Sequence, residues 1–277
     1  MLVGPVRRTS RLCGREEAGV SSVETSAPSD RRELTTTVGA TALVWLLFSS
    51  AWPLLPVRWF VTLVHEAGHA AAATVLGGRV ASVTINRHGG GLTVWSYDGE
   101  IPTLRRVLVA SAGYVGAAIV GGVMIEMGAR VRRGRTAAAV LAVLVAAIGI
   151  AWVPWRFEAD GAMAQVTGSS SGDGRFSTLF CVAAVAVLVG LVVQPSARVR
   201  RTAVVALATS LCLASIDDLR EVLDISSLGG HSDAAAAADA TPLSSWMWSA
   251  IWLMIGLAAC AAGVWAALAR DDRSRDS

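Results

Sequence analysis

The 277-residue chain is 53% hydrophobic and 16% charged, whereas a soluble domain carries about a quarter charged residues. Its apolar residues fall in long uninterrupted blocks, as bilayer-spanning helices require, so an ordinary soluble enzyme is excluded. A formal net charge of +3 gives no ground for nucleic-acid binding. The four cysteines, Cys13, Cys181, Cys212 and Cys260, are scattered without a CxxC pair, so neither a disulfide framework nor a thiolate metal site is expected.

Residues 1–35 are polar, rich in Ser, Thr, Arg and Glu, and are expected to form a disordered arm. They lack the early apolar run of a signal peptide. Residues 36–269 are expected to form one polytopic membrane domain and 270–277 a short charged tail. The first apolar block covers 37–56 and the second 57–76. Residues 79–97 alternate Val83, Ile85, Leu92 and Val94 around Gly89, Gly90 and Gly91, which reads as a β-hairpin. Further helices are expected over 103–127, 136–153, 177–194, 202–219 and 244–269, with loops over 154–176 and 220–243. The fold class is therefore an all-α integral membrane protein of six or seven spans, with a small β-hairpin after the second block.

The loops 128–135 and 195–201 carry Arg130, Arg132, Arg133, Arg135, Arg198, Arg200 and Arg201 and no acid. The positive-inside rule places both in the cytoplasm. The N-terminal arm, with six Arg against five acids, does not arbitrate the remaining topology. All cations are Arg and none is Lys, a bias of GC-rich coding that suggests a bacterial plasma membrane.

The chemistry concentrates in His65-Glu66-Ala67-Gly68-His69, within the second block. Helical positions four apart share a face, so both imidazoles can reach one ion while Glu66 stands ready to take a proton from water. A short HExxH match in a soluble helix is often coincidental. In an apolar block, three ionisable groups are costly and are retained for function. Zinc would need a third protein ligand, and no other histidine lies in an apolar block, which points to a carboxylate. Asp160 is the first candidate, because two helices separate it from the motif and both ends emerge on one side. The same parity admits Asp217, Asp218 and Asp233, and parity alone does not choose.

Taken together, these residues resemble the site-2 protease group of intramembrane zinc metalloproteases (peptidase family M50), particularly its smaller M50B-like bacterial branch. The similarity rests on HEAGH followed by Gly77-Gly78 and the hairpin, and on the small-residue stretch Ser111-Ala112-Gly113-Tyr114-Val115-Gly116. It also rests on Pro154 ahead of Asp160-Gly161, and on Ser232-Asp233-Ala234 before a Trp-rich last helix. The resemblance implies one Zn2+ ion held by His65, His69 and Asp160, with Glu66 as catalytic base. It also implies hydrolysis of peptide bonds in or near transmembrane segments of membrane-protein substrates within the lipid bilayer. The chain departs from the family in lacking an Asn before Asp160-Gly161 and in placing Pro154 six residues ahead of Asp160. The competing class is a catalytically inactive relative or a metal-handling transporter. A transporter should spread ionisable residues over several spans, whereas here they gather on one, and an inactive relative would usually have lost Glu66.

Among other residues, His88 and His231 are expected to be solvated, Asn86 to shape the hairpin turn or meet substrate, and Glu126 to reach the interface. Most of the ten Trp residues are expected to anchor span ends.

Overall fold

The computed structural model describes residues 27–130, 133–155, 173–217, 220 and 232–273. Helix α1 (Ala27–Phe48) leads through one 3-10 turn, Trp52–Leu54, into α2 (Leu55–Val75). Pro53 and Pro56 occupy the first turns of those two helices, where the missing N–H would lack a helical partner anyway. Because α1 begins at Ala27, the last residues of the stretch read as a polar arm are helical, and Leu34 within it is buried in the main core.

Strands β1 (Arg79–Ile85) and β2 (Gly91–Ser96) then form a two-stranded antiparallel sheet, with Val83 opposite Thr93 and Ile85 opposite Gly91. Asn86 shapes the turn: its side-chain oxygen accepts from His88 N–H at 2.9 Å and Gly90 N–H at 3.1 Å, and Gly89 takes a left-handed φ of 94° that suits glycine. The hairpin thus lies where the alternation of apolar residues put it.

Helices α3 (Thr103–Gly128), α4 (Gly134–Trp152), α5 (Asp173–Val193) and α6 (Ala197–Cys212) follow. A seven-residue helix α7 (Asp233–Asp239) and the long α8 (Ser245–Arg273) complete the described chain. Among the described residues, α3, α4, α5, α8 and α6 with its continuation to Asp217 are long and apolar enough to cross a membrane. Arg58, His65, Glu66 and His69 interrupt the apolar run of α2, which α3, the hairpin and α6 surround.

Helix α6 starts five residues before the expected 202 because Ser196 caps it, its hydroxyl accepting from Val199 N–H at 3.4 Å. Arginine suits helices well, so the cationic run expected as a loop forms the first turn and a half.

Helix α3 is the hub, touching α2, α4, α6, α7 and α8. Small residues allow this crowding, as is usual for helices packing in lipid. At Gly122 an added Cβ would stand 2.7 Å from the Ala259 carbonyl oxygen of α8. The outward faces carry large apolar side chains, including Ile150 (88% exposed) and Val193 (71%). Exposure on this scale is intelligible when lipid is the solvent.

Candidate metal centre and active site

Helical geometry alone brings His65 and His69 together on α2, with ring centroids 4.5 Å apart and Nε2 atoms 2.9 Å apart. The third group comes from far along the chain: Asp233 Oδ2 lies 3.1 Å from each Nε2. Among the described residues these three side chains form a cluster able to hold a metal ion.

The identity of the converging atoms matters more than their proximity. His69 Nδ1 lies 2.6 Å from the Val109 carbonyl oxygen, and a carbonyl only accepts, so this nitrogen carries the proton. Its Nε2 faces the Asp233 oxygen and the second Nε2, the arrangement in which two neutral imidazoles and a carboxylate would offer three lone pairs to one cation. Two imidazoles with a carboxylate form a donor set suited to zinc. The His69–Val109 bond is the outer-shell contact that orients metal-ligating histidines. Burial tends to raise the Asp233 carboxyl; the imidazoles of His69 and His65 outweigh it and hold the group well below the usual carboxylate range. Asp233 is therefore charged and ready to act as a ligand.

Three local devices set this geometry. The first is the close approach of α3. A Cβ on Gly113 would stand 2.5 Å from His65 Cε1 and from His69 Nε2, and one on Gly68 would strike the Ala112 carbonyl. Both glycines are therefore required, and the small-residue stretch from Ser111 packs against the imidazoles. The second device docks α7. Ser232 caps it by accepting from Ala235 N–H at 3.2 Å, and Ala234 and Ala237 are buried in a small core with Ala110, Tyr114 and Trp252. Tyr114 stacks on Trp252 at 4.6 Å and meets the edge of His65 at 4.3 Å. Trp248 completes the group, donating Nε1–H to Thr241 Oγ1 at 2.9 Å.

The third device is the hairpin. Trp59 and Thr62 on α2 donate to the carbonyls of Arg87 and Gly89, at 3.2 and 2.8 Å. This brings Thr93 of β2 over Glu66, where its hydroxyl lies 2.7 Å from Glu66 Oε2 and 2.9 Å from the Glu66 backbone oxygen. A Cβ on Gly91 would stand 2.6 Å from Glu66 Oε1. Thr93 therefore fixes one carboxylate oxygen and Gly91 leaves room beside the other.

The three ligand candidates, Glu66 and strand β2 share one cavity of about 610 Å³. Asp217 also lines it, but accepts from Ser49 Oγ at 2.6 Å and pairs with Arg220 at 3.2 Å. Asp160, Asp218 and His231 lie outside the described residues, so the expectation that Asp160 completes the site has no coordinates to meet. Of the two parity-admitted carboxylates among the described residues, Asp217 and Asp233, it is Asp233 that lies beside the histidines.

The sequence reading placed Asp233 in a loop. The available signal was local: a Ser cap followed by five alanines, the strongest helix formers. Of the Trp residues, mostly expected as interfacial anchors, Trp52 and Trp246 are exposed, whereas Trp248 and Trp252 pack inward around Tyr114. His88 is exposed at the turn, and Glu126 pairs with Arg130 and Arg133.

The sequence profile of the family described as Peptidase M50B-like matches residues 36–159 and 174–263. The chain belongs to this family, and at that level it is an integral membrane metalloprotease. The match covers His65, Glu66, His69 and Asp233 and stops one residue short of Asp160. No curated protein and no solved structure matches the chain.

Proposed function

We propose that this protein is a zinc-dependent intramembrane endopeptidase, with His65, His69 and Asp233 as metal ligands and Glu66 as general base. The observation that carries the reading is the convergence of two imidazole nitrogens and a carboxylate oxygen, 2.9–3.1 Å apart, next to a carboxylate held by a hydroxyl. A zinc ion held there supplies Lewis acidity for attack of water on a peptide carbonyl. Glu66 receives the proton from water on Oε1, the oxygen beside Gly91, while Thr93 restrains Oε2. It then returns that proton to the departing amine, the double duty of a positioned acid–base group.

The hairpin supports the membrane-segment substrate class. A transmembrane helix conceals its scissile carbonyl in internal hydrogen bonds and must be locally unwound to react. Strand β2 lines the same cavity as Glu66, and an unwound segment can pair with such an edge as an added strand. Asp233 stands in this proposal as third ligand because its oxygen meets both imidazoles.

The test measures metal content and cleavage in one set of proteins. Wild type and Glu66→Gln should each retain about one zinc per chain, as structural and catalytic zinc sites do, and His65→Ala should lose it. A model transmembrane substrate should be cut by wild type alone. A wild-type protein that folds but binds no zinc would sink the proposal.

A further inference from the structure

We propose that the site selects a substrate segment carrying acidic side chains on both sides of the scissile bond, read by Arg58 and Arg106. This rests on the endopeptidase reading and adds a substrate class to it.

Both arginines line the cavity that holds Glu66 and the histidines. The acids described on the same wall are already engaged. Glu66 accepts from Thr93, Asp233 faces two imidazoles, and Asp217 is held by Ser49 and Arg220. Other arginines nearby have partners: Arg79 pairs with Asp98, and Arg105 lies over the Tyr97 ring at 4.4 Å. Among the described residues, Arg58 and Arg106 have no carboxylate, so the cavity presents two unmatched cations.

Their placement fits an extended ligand. Arg58 precedes Glu66 by two helical turns and packs against the hairpin turn, where a Cβ on Gly89 would stand 3.1 Å from its guanidinium carbon. Gly91, where β2 starts, lies over Thr62 and Glu66, and Ser96 at the other end approaches Gly78. Strand β2 therefore runs beside α2, beginning near Arg58. The contact of Arg105 with Tyr97, just beyond β2, puts the start of α3 and Arg106 at the opposite end. Six residues of strand span about 20 Å, with Thr93 and Glu66 between the two cations. A peptide paired with β2 would thus meet a guanidinium on each side of the reacting bond. Half-buried Arg58, held by the turn, should discriminate more strongly than exposed Arg106.

Binding separates this proposal from the chemistry. Zinc-loaded Glu66→Gln protein in neutral-lipid nanodiscs is titrated with three versions of one transmembrane segment, carrying Asp, Ser or Lys about three residues to either side of the scissile bond. The Asp peptide should bind about tenfold more tightly than the Lys peptide, the scale of one or two partly exposed charge pairs. Adding Arg58→Gln should cut that ratio to about threefold, and Arg58→Glu with Arg106→Glu should invert it, with zinc content retained as the check on folding. With Glu66 restored, the ranking should appear in KM more than in kcat. Equal affinity for the three peptides, or a ranking that survives both charge reversals, overturns the proposal. It also fails if affinity follows added phosphatidylglycerol and ignores peptide charge, because the arginines then hold lipid phosphate. If wild type cuts none of the peptides, the endopeptidase reading fails, while the binding ranks still decide this one.

Discussion

The two histidines and Asp233 reach the same point by different physical routes. His65 and His69 sit one turn apart on a 21-residue helix that other elements enclose, so their convergence follows from helical periodicity. Asp233 sits on a seven-residue helix, too short to be stable by itself. Its position depends on a serine cap, two buried alanines and the Tyr114–Trp252 stack. One half of the centre is local and rigid; the other is assembled by docking and is the half most easily disturbed.

The largest expected effect strikes the local half. Gly113→Ala places a methyl group where His65 and His69 now lie, and the backbone of α3 has little room to retreat from α2. Overpacking of this kind costs roughly 1–3 kcal/mol or more. Zinc content should fall below about a tenth of wild type, with cleavage lost alongside it. Normal zinc content in Gly113→Ala would show that α3 yields and that the local half is softer than described.

Removing the docked ligand should come next. Asp233→Ala should weaken zinc binding by at least about 100-fold, more than the tenfold to 100-fold typical of an outer-shell loss. With Asp233 as third ligand the protein's share of the coordination is complete without Asp160, so Asp160→Ala should leave it within about threefold. The reverse order, measured by competition with a chelator, would return the third ligand to Asp160.

Intermediate effects should separate chemistry from assembly. Thr93→Val frees Glu66 Oε2 and should lower kcat about tenfold with zinc unchanged. Trp252→Ala removes the support under Tyr114 and should weaken zinc binding about tenfold with little change in kcat once metal is saturating. A kcat loss at saturating zinc in Trp252→Ala would mean that the stack serves the chemistry directly.

The smallest effect belongs to the cap. Ser232→Ala removes the hydroxyl that caps α7 and should cost about 1 kcal/mol, read as roughly fivefold weaker zinc binding. Ser232→Asp should restore it.

The same contrast explains what could be read in advance. The later apolar blocks gave the long helices from α2 onward to within several residues, because lipid demands continuous hydrophobic length, whereas α1 (Ala27–Phe48) starts ten residues before the block expected at 37–56. HEAGH gave the paired imidazoles and the neighbouring Glu66, because one helix face suffices to bring them together. Strand alternation and glycines gave the hairpin, although no local pattern said that Thr93 and Gly91 would frame Glu66. Asp233 was one acid among several because its position depends on contacts more than 160 residues apart in sequence, as in the Asp233 bonds to His65 and His69. The inward packing of Trp252 escaped the general expectation of Trp at interfaces for a related reason: only the fold shows Tyr114 beneath it.

Ser177 of α5, fully buried, receives the Ile85 N–H at 2.8 Å and sits 3.1 Å from the Ile85 carbonyl. That hydroxyl, 2.6 Å from the Asp173 carbonyl, takes up an N–H that β1 would otherwise offer to another strand. The outer edge of β1 is thus stoppered at its hairpin end. A segment arriving there in extended form is turned away, and its berth lies beyond β2, alongside Glu66.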